Sequence, residues 1–363
     1  MTSSKVLTGV FAVFMIDPGV SRQTGSTTNR FQLASAVCVL TSFAFTQPIL
    51  ELLGRNAEFF LAHDFNRIDT LLFVGLVALL VPTGLGLVVY LLTRFCGSVG
   101  ALLSAGIFWC LWILLAVPVI RKLGGSPWIV LLVAVVTASA ALYLLLRFAQ
   151  VGQFMRFLLP AVIVFPAWFM FLTPSSRLLW GESSEQYGFE DTLEGNETPV
   201  VILIFDEFPM VSLLGQDGQI DSSRFPNFAR LAGHSDWYRQ ASSVSEATHY
   251  SVPALLTGRY PVPARLPVYL DYPENLFSLL PDSSRSVSFE TVTRLCPPGF
   301  STELETGSMA KRWVVLLADT ALTYAHFILP RKLARKLPPV DRGWAGFLQS
   351  QAKEDLGELL ERL

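Results

Sequence analysis

The residues with the most chemical promise lie in Ser245-Glu-Ala-Thr248-His249-Tyr250-Ser251-Val-Pro-Ala-Leu-Leu-Thr257-Gly258-Arg259-Tyr-Pro261. A hydroxyl-rich turn here feeds a short helix that stops at Gly258, with Pro261 beyond it. A threonine at a helix start admits two roles. It can cap the helix by accepting a backbone N–H bond. It can also act as a nucleophile, held by the positive end of the helix dipole near a metal ion. A second chemical feature lies upstream, the acidic pair Asp206-Glu207. A carboxylate at that point is suited to a divalent metal; a loop acid or a helix cap is the alternative.

The elements around these residues explain why they attract notice. Pro199-Val-Val-Ile-Leu-Ile-Phe205 is a continuous apolar run rich in β-branched residues, and it reads as a strand buried on both faces of a parallel sheet. In open α/β sheets, ligands bind beyond the carboxyl ends of the strands, which is where Asp206 follows. Residues 178–198 form a polar, acidic linker before the strand. Arg224–Ala232 reads as a short helix with Phe225, Phe228 and Leu231 on its apolar side, and Trp237–Ala241 as a strand or extended segment.

An acid-tipped strand followed about 40 residues later by Thr-x-x-Ser-x-Pro-x-Leu-x-Thr-Gly resembles the alkaline-phosphatase/sulfatase superfamily. Thr248, Ser251, Thr257 and Gly258 match its spacing, and the resemblance covers residues 199–281, more weakly to the end. Sulfatases place a cysteine or serine at the Thr248 position, with Pro and Arg where this chain has Tyr250 and Val252. Thr-x-x-Ser-x-Pro is more similar to the membrane phosphoethanolamine transferases, and the related lipoteichoic-acid synthases also use a threonine. Both have five N-terminal transmembrane helices and an outward-facing catalytic domain. The resemblance implies two-step transfer of a phospholipid headgroup through Thr248, with an envelope glycan, a lipid or water as acceptor. It implies a divalent metal (Zn, Mn, Mg or Ca), with Asp206 as the first choice of ligand and Glu207 as the second. His249, Ser251, Arg259 and Tyr250 become candidate phosphate or headgroup contacts. A sulfatase-type ester hydrolase and a non-catalytic membrane protein are the competing readings.

The superfamily pattern also calls for a late Asp-His-Gly, and no such triplet follows Gly258. His326 is the later histidine, inside the mostly apolar stretch Trp313–Leu329, which precedes Arg331, Lys332, Arg335 and Lys336. That stretch suits a helix on a membrane surface, a helix buried against the sheet or, less well given Asp319 and His326, a sixth span. Residues 344–363 read as a polar helix. The expectation is an incomplete α/β domain, belonging to a truncated chain, to one whose remainder lies on another polypeptide, or to a pseudoenzyme.

The first half supplies the membrane. Five segments are long enough to cross the hydrocarbon core without a charge: Phe31–Leu50, Thr70–Leu92, Phe95–Ile120, Leu123–Leu146 and Phe157–Ser176. Gln47 and Pro48 interrupt the first, and Pro82, Gly84 and Gly86 the second, as a bundle tolerates. Residues 1–30 read as a cytoplasmic extension, 31–177 as the membrane region, 178–198 as the linker and 199–363 as an extracytoplasmic sulfatase-like domain. With the N-terminus inside, Lys5, Arg22, Arg30, Arg94, Arg147 and Arg156 face the cytoplasm, against Arg55, Arg67, Arg121 and Lys122 outside. This implies a multi-pass protein of the bacterial inner membrane, with helices that serve as an anchor or help to bind a lipid substrate. Of the 363 residues, 52% are hydrophobic and 15% charged, against roughly 25% charged in soluble proteins. A net charge of -2 offers no basic face for nucleic acid, and the four cysteines form no disulfide or zinc pattern.

Overall fold

The computed structural model describes residues 27–180, 200–205, 208–262, 265–280, 288–290, 292–297, 308–340 and 346–347. The chain divides into two units, residues 1–181 with 305–363, and residues 182–304. Its spanning helices are α1 (Arg30–Arg55), α2 (Arg67–Phe95), α3 (Gly97–Lys122), α4 (Pro127–Arg147) and α5 (Ala149–Leu172). Shorter helices follow: α6 (Pro226–Ala232), α7 (Thr248–Thr257), α8 (Met309–Ile328) and α9 (Arg331–Ala334).

The shortest span, α4, has 21 residues, about 30 Å at 1.5 Å per residue, which matches the hydrocarbon thickness of a bilayer. Outward faces of these helices are apolar: Leu87, Val88 and Leu91 on α2, Leu102 and Leu103 on α3, Leu132 and Val136 on α4, and Ile163 and Val164 on α5 are all exposed. Water would not tolerate so large an apolar surface, whereas lipid tails match it. The N-terminal half therefore spans a membrane, and α1 is its most enclosed helix.

Local chemistry sets the ends. Asn66 caps α2 in a capping box with Asp69. Ser126 caps α4, with Pro127 at its first position. The fifth span differs from the expected Phe157–Ser176: it starts at Ala149 and so takes in Arg156. A turn at residues 158–160 interrupts it, because Pro160 has no N–H for the Arg156 carbonyl.

The prolines near the middle of α1 and α2 are accommodated alike. Each follows a five-residue π-helical stretch, Ser42–Thr46 before Pro48 and Leu76–Leu80 before Pro82. A proline cannot donate to the carbonyl four residues back, and the wider turn carries the helix past it. The Thr46 hydroxyl donates to the Val77 carbonyl at 2.8 Å and ties the two stretches together. Close packing of the two helices also needs Gly86, where a Cβ would stand 3.2 Å from the Ala34 carbonyl oxygen and 3.3 Å from Cys38 Cβ.

Helix α8 belongs to this same unit. It packs against α1 and α3 and joins the core of Phe60, Phe73 and Phe169 through Leu316 and Trp313. Of the alternatives for Trp313–Leu329, burial against a sheet is not what forms: the helix packs one face against the spanning bundle. Polar contacts fix it. Asp319 is 1% exposed and lies 2.9 Å from His63 Nε2, and His63 Nδ1 lies 2.6 Å from the Phe59 carbonyl oxygen. The Gly346 and Phe347 N–H groups donate to Asp319 at 2.6 and 3.1 Å. Arg312 pairs with Asp64 at 2.7 Å, Trp313 donates to Asp69 at 3.3 Å, and the Tyr324 hydroxyl donates to the Ala44 carbonyl at 2.6 Å. Tyr324 thus bonds a carbonyl inside the π-helical stretch of α1, next to Pro48, which offers no N–H of its own.

The second unit is built otherwise. Among its described residues there are only isolated bridges, Leu214 with Ile220 and Val268 with Arg294, the latter parallel. The buried strand expected at Pro199–Phe205 is not formed over its described residues. Val200–Phe205 has no regular structure and is 47–82% exposed. A strand needs neighbours for its N–H and C=O groups, and the described residues supply no ladder there. Phe205 does meet α6, with ring centroids 5.8 Å from Phe228. Trp237–Ala241, expected as a strand or extended segment, carries no strand either. Elsewhere hydrogen-bonded knots organise the chain. Buried Asn275 donates to the Tyr272 and Leu295 carbonyls, each at 2.8 Å, and Glu290 accepts from the Thr293 hydroxyl and the Leu295 and Cys296 N–H groups.

Candidate functional site

Helix α7 forms where the sequence places it and ends as expected. Gly258 takes the left-handed conformation, φ 67°, and returns its N–H to the Ala254 carbonyl at 2.9 Å. Pro253 lies inside the helix, buried, and contributes no N–H of its own to the helical ladder. The start is more informative. Ala247 is the cap residue, extended at φ -100° and ψ 128°, and Thr248 is the first helical residue. Thr248 therefore does not cap the helix. Order before it comes from Ser245, whose hydroxyl accepts the Ala247 N–H at 3.2 Å, and from Ser243, which accepts the Ser245 N–H at 3.3 Å.

Thr248, His249 and Tyr250 are half-buried. Ser251 stands one turn on from Thr248, its hydroxyl 3.5 Å from the Thr248 carbonyl oxygen. The two hydroxyl residues thus share a face at the positive end of the helix. His249 is turned away from that face by one residue step, with its ring 4.2 Å from that of Tyr250. Arg259 is not brought to Thr248. It follows the opposite end of the ten-residue helix, about 15 Å away at 1.5 Å per residue, and is ion-paired with Glu274. Its backbone N–H bonds to the Thr257 hydroxyl, so Thr257 and Arg259 close the helix rather than serve its start.

Asp206 and Glu207 lie outside the described residues. Among the described residues, no three His, Cys, Asp or Glu side chains converge as a metal site would require.

The Ser223 hydroxyl, with the Arg224 N–H, holds the Asp221 carboxyl below its ordinary range, and burial pushes the Tyr272 hydroxyl above its own. Sequence reasoning missed His63 altogether, and it noted Asp319 only as an argument against a sixth span. An acid in the middle of an apolar stretch was the available signal, since such a group is buried only with partners.

No family model, curated protein or solved structure matches the chain.

Proposed function

We propose that the chain is a membrane-bound relative of the alkaline-phosphatase/sulfatase superfamily that takes a phospholipid headgroup onto Thr248. The observation that carries this reading is the build of α7. Thr248 is at the first helical position, Ser251 is one turn on, and Gly258 ends the helix in the left-handed conformation. A phosphate beside Thr248 would meet the positive end of a ten-residue helix, worth roughly half an elementary charge. In the reaction, Thr248 Oγ bonds to phosphorus as the ester bond to diacylglycerol breaks. The hydroxyl proton leaves with the departing alcohol, and an envelope acceptor or water then takes the group from Thr248. A divalent ion would lower the pKa of the hydroxyl and neutralise phosphate charge. Asp206, with Glu207 next, is the ligand proposed for it. The sheet of that superfamily is the part of the reading that the described residues do not build.

In this reading the N-terminus is cytoplasmic and residues 178–363 are outside a bacterial inner membrane. Arg156 lies within α5 rather than at its rim, so one of the six cytoplasmic cations no longer counts towards that orientation. One set of preparations tests both halves of the proposal. The chain, in vesicles of headgroup-labelled phosphatidylethanolamine with Zn or Mn, is expected to carry a phosphoethanolamine adduct at Thr248 by mass spectrometry. Thr248→Ala should carry none, because alanine offers no attacking oxygen. An adduct elsewhere, or none in the unaltered chain, would sink the nucleophile. A reporter that works only in the cytoplasm, active when fused after Gly195, would reverse the orientation.

A further inference from the structure

Six cations meet at one end of the spanning bundle. Helix α3 runs without a charge from Gly97 to Ile120 and ends in Arg121 and Lys122, so Arg121 marks where the hydrocarbon stops. Trp128, 79% exposed in the first turn of α4, marks the same boundary. Arg121 donates to the Phe327 and Leu329 carbonyls at 3.0 and 2.6 Å, gripping the C-terminal end of α8, where a cation is also favoured by the helix dipole. The chain then turns directly into Arg331, Lys332, Arg335 and Lys336. Helical bonds continue through this segment, from Arg335 N–H to the Arg331 carbonyl and from Lys336 N–H to the Leu333 carbonyl. Lys336 is therefore only about 7.5 Å along the axis from Arg331 at 1.5 Å per residue. His326 Nε2 lies 2.8 Å from the Pro338 carbonyl oxygen, which ties the far end of the segment back to α8. The basic turn is held at both ends.

Among the described residues these cations form no ion pair with an acid, although Asp341 follows closely in the sequence. Residues 97–147 and 320–340 contain no Asp or Glu. The cations are exposed apart from half-buried Arg121, and exposed Leu123, Phe327 and Leu333 lie among them in sequence. Cations at the hydrocarbon edge, mixed with apolar side chains, suit an acidic headgroup whose acyl chains lie alongside. We infer that Lys122, Arg331, Lys332, Arg335 and Lys336, oriented by Arg121, form a binding surface for anionic phospholipid in the leaflet beside the α3–α4 turn. This inference does not depend on Thr248.

The test uses the full chain in dioleoylphosphatidylcholine membranes, with spin-labelled phosphatidylglycerol or spin-labelled phosphatidylcholine as the probe. Association with phosphatidylglycerol is expected to be about fivefold stronger, the effect of roughly one cation's attraction at a charged surface. The quadruple change Arg331→Gln, Lys332→Gln, Arg335→Gln and Lys336→Gln should remove the preference. Charge-preserving exchanges, Arg331→Lys, Lys332→Arg, Arg335→Lys and Lys336→Arg, should keep it. If the glutamine protein does not fold, the unaltered chain still decides the matter, because the preference must vanish near 1 M salt, where screening acts within about 3 Å. No preference in the unaltered chain, one that survives the glutamine changes, or one indifferent to salt would each overturn the proposal.

Discussion

Asp319 and Ile202 mark the contrast between the two units. Asp319 is a charged residue in an apolar helix, and the fold surrounds it with His63 and two backbone N–H groups. Ile202 is an apolar residue in an apolar run, and it is exposed. The described hydrophobic clusters, around Phe60, Phe73 and Phe169 and around Val37, Val89 and Phe108, both belong to the unit with the spans. The other unit is organised by polar knots such as Asn275 and Glu290. Lipid explains part of the difference. A bundle can leave its outer face apolar because the bilayer covers it, so its interior can be filled to high density. A segment in water has no such cover, and its apolar run has to find a protein partner.

The largest expected effect comes from breaking the buried knot. Asp319→Ala strands the His63 ring and two N–H groups away from water, and losing one partner of such a pair costs about 3–5 kcal/mol. Denaturant titration of the detergent-solubilised chain should show that loss, with α8 becoming open to protease. Asp319→Asn keeps one carbonyl acceptor and should lose less. A loss below about 1 kcal/mol for the alanine protein would mean that apolar contacts alone hold α8.

The sequence carried these features unequally. The five spans could be read because each rests on a long apolar run without a charge; their ends shifted by up to eight residues, at the start of α2 because the Asn66 capping box sets it. The stop at Gly258 was equally legible, because a left-handed residue after a short helix is a local demand. The docking of α8 was not. His63 and Asp319 are 256 residues apart, and no local pattern links them. Arg259 misled for the opposite reason: it is close to Thr248 in sequence, yet a helix of ten residues sets them apart. Composition could propose Val200–Phe205 as a strand, but not its neighbours.

A smaller effect is expected at Tyr324. Its hydroxyl bonds the Ala44 carbonyl, and Tyr324→Phe removes that bond at a cost of about 1 kcal/mol. The contact also gives α8 an alkaline limit. Burial pushes the Tyr324 hydroxyl up to about 12 from an ordinary value of 10. The folded value is the higher one, so the protonated, bonded form stabilises docking fully below pH 10. That contribution falls away as pH rises from 10 through 12. Protease sensitivity of α8 should increase over that window in the unaltered chain, and less in the phenylalanine protein. An identical alkaline profile in both would place the limit on another group.

The smallest effect, and the one that bears most directly on the contrast, is expected from Ile202→Ser. At 52% exposure, without a ladder on either side among the described residues, Ile202 has little burial to lose. Substitutions at such surface positions stay within about 0.5 kcal/mol. Hydrogen exchange of amides in the Asn275 and Glu290 knots gives the local stability of this unit, and it should be the same in both proteins. A buried strand residue behaves otherwise: replacing it with a hydroxyl removes most of a large side chain's burial, about 1.5–3 kcal/mol, and leaves a polar group to satisfy. A loss of that size would show that Val200–Phe205 is covered after all. The contrast between the units would then narrow, and the segment would regain the place that its composition first proposed, a central strand leading to Asp206. A neutral result would leave an exposed apolar run, for which increased solubility of the serine protein is the accompanying sign, since such a run is a ready surface for association between chains.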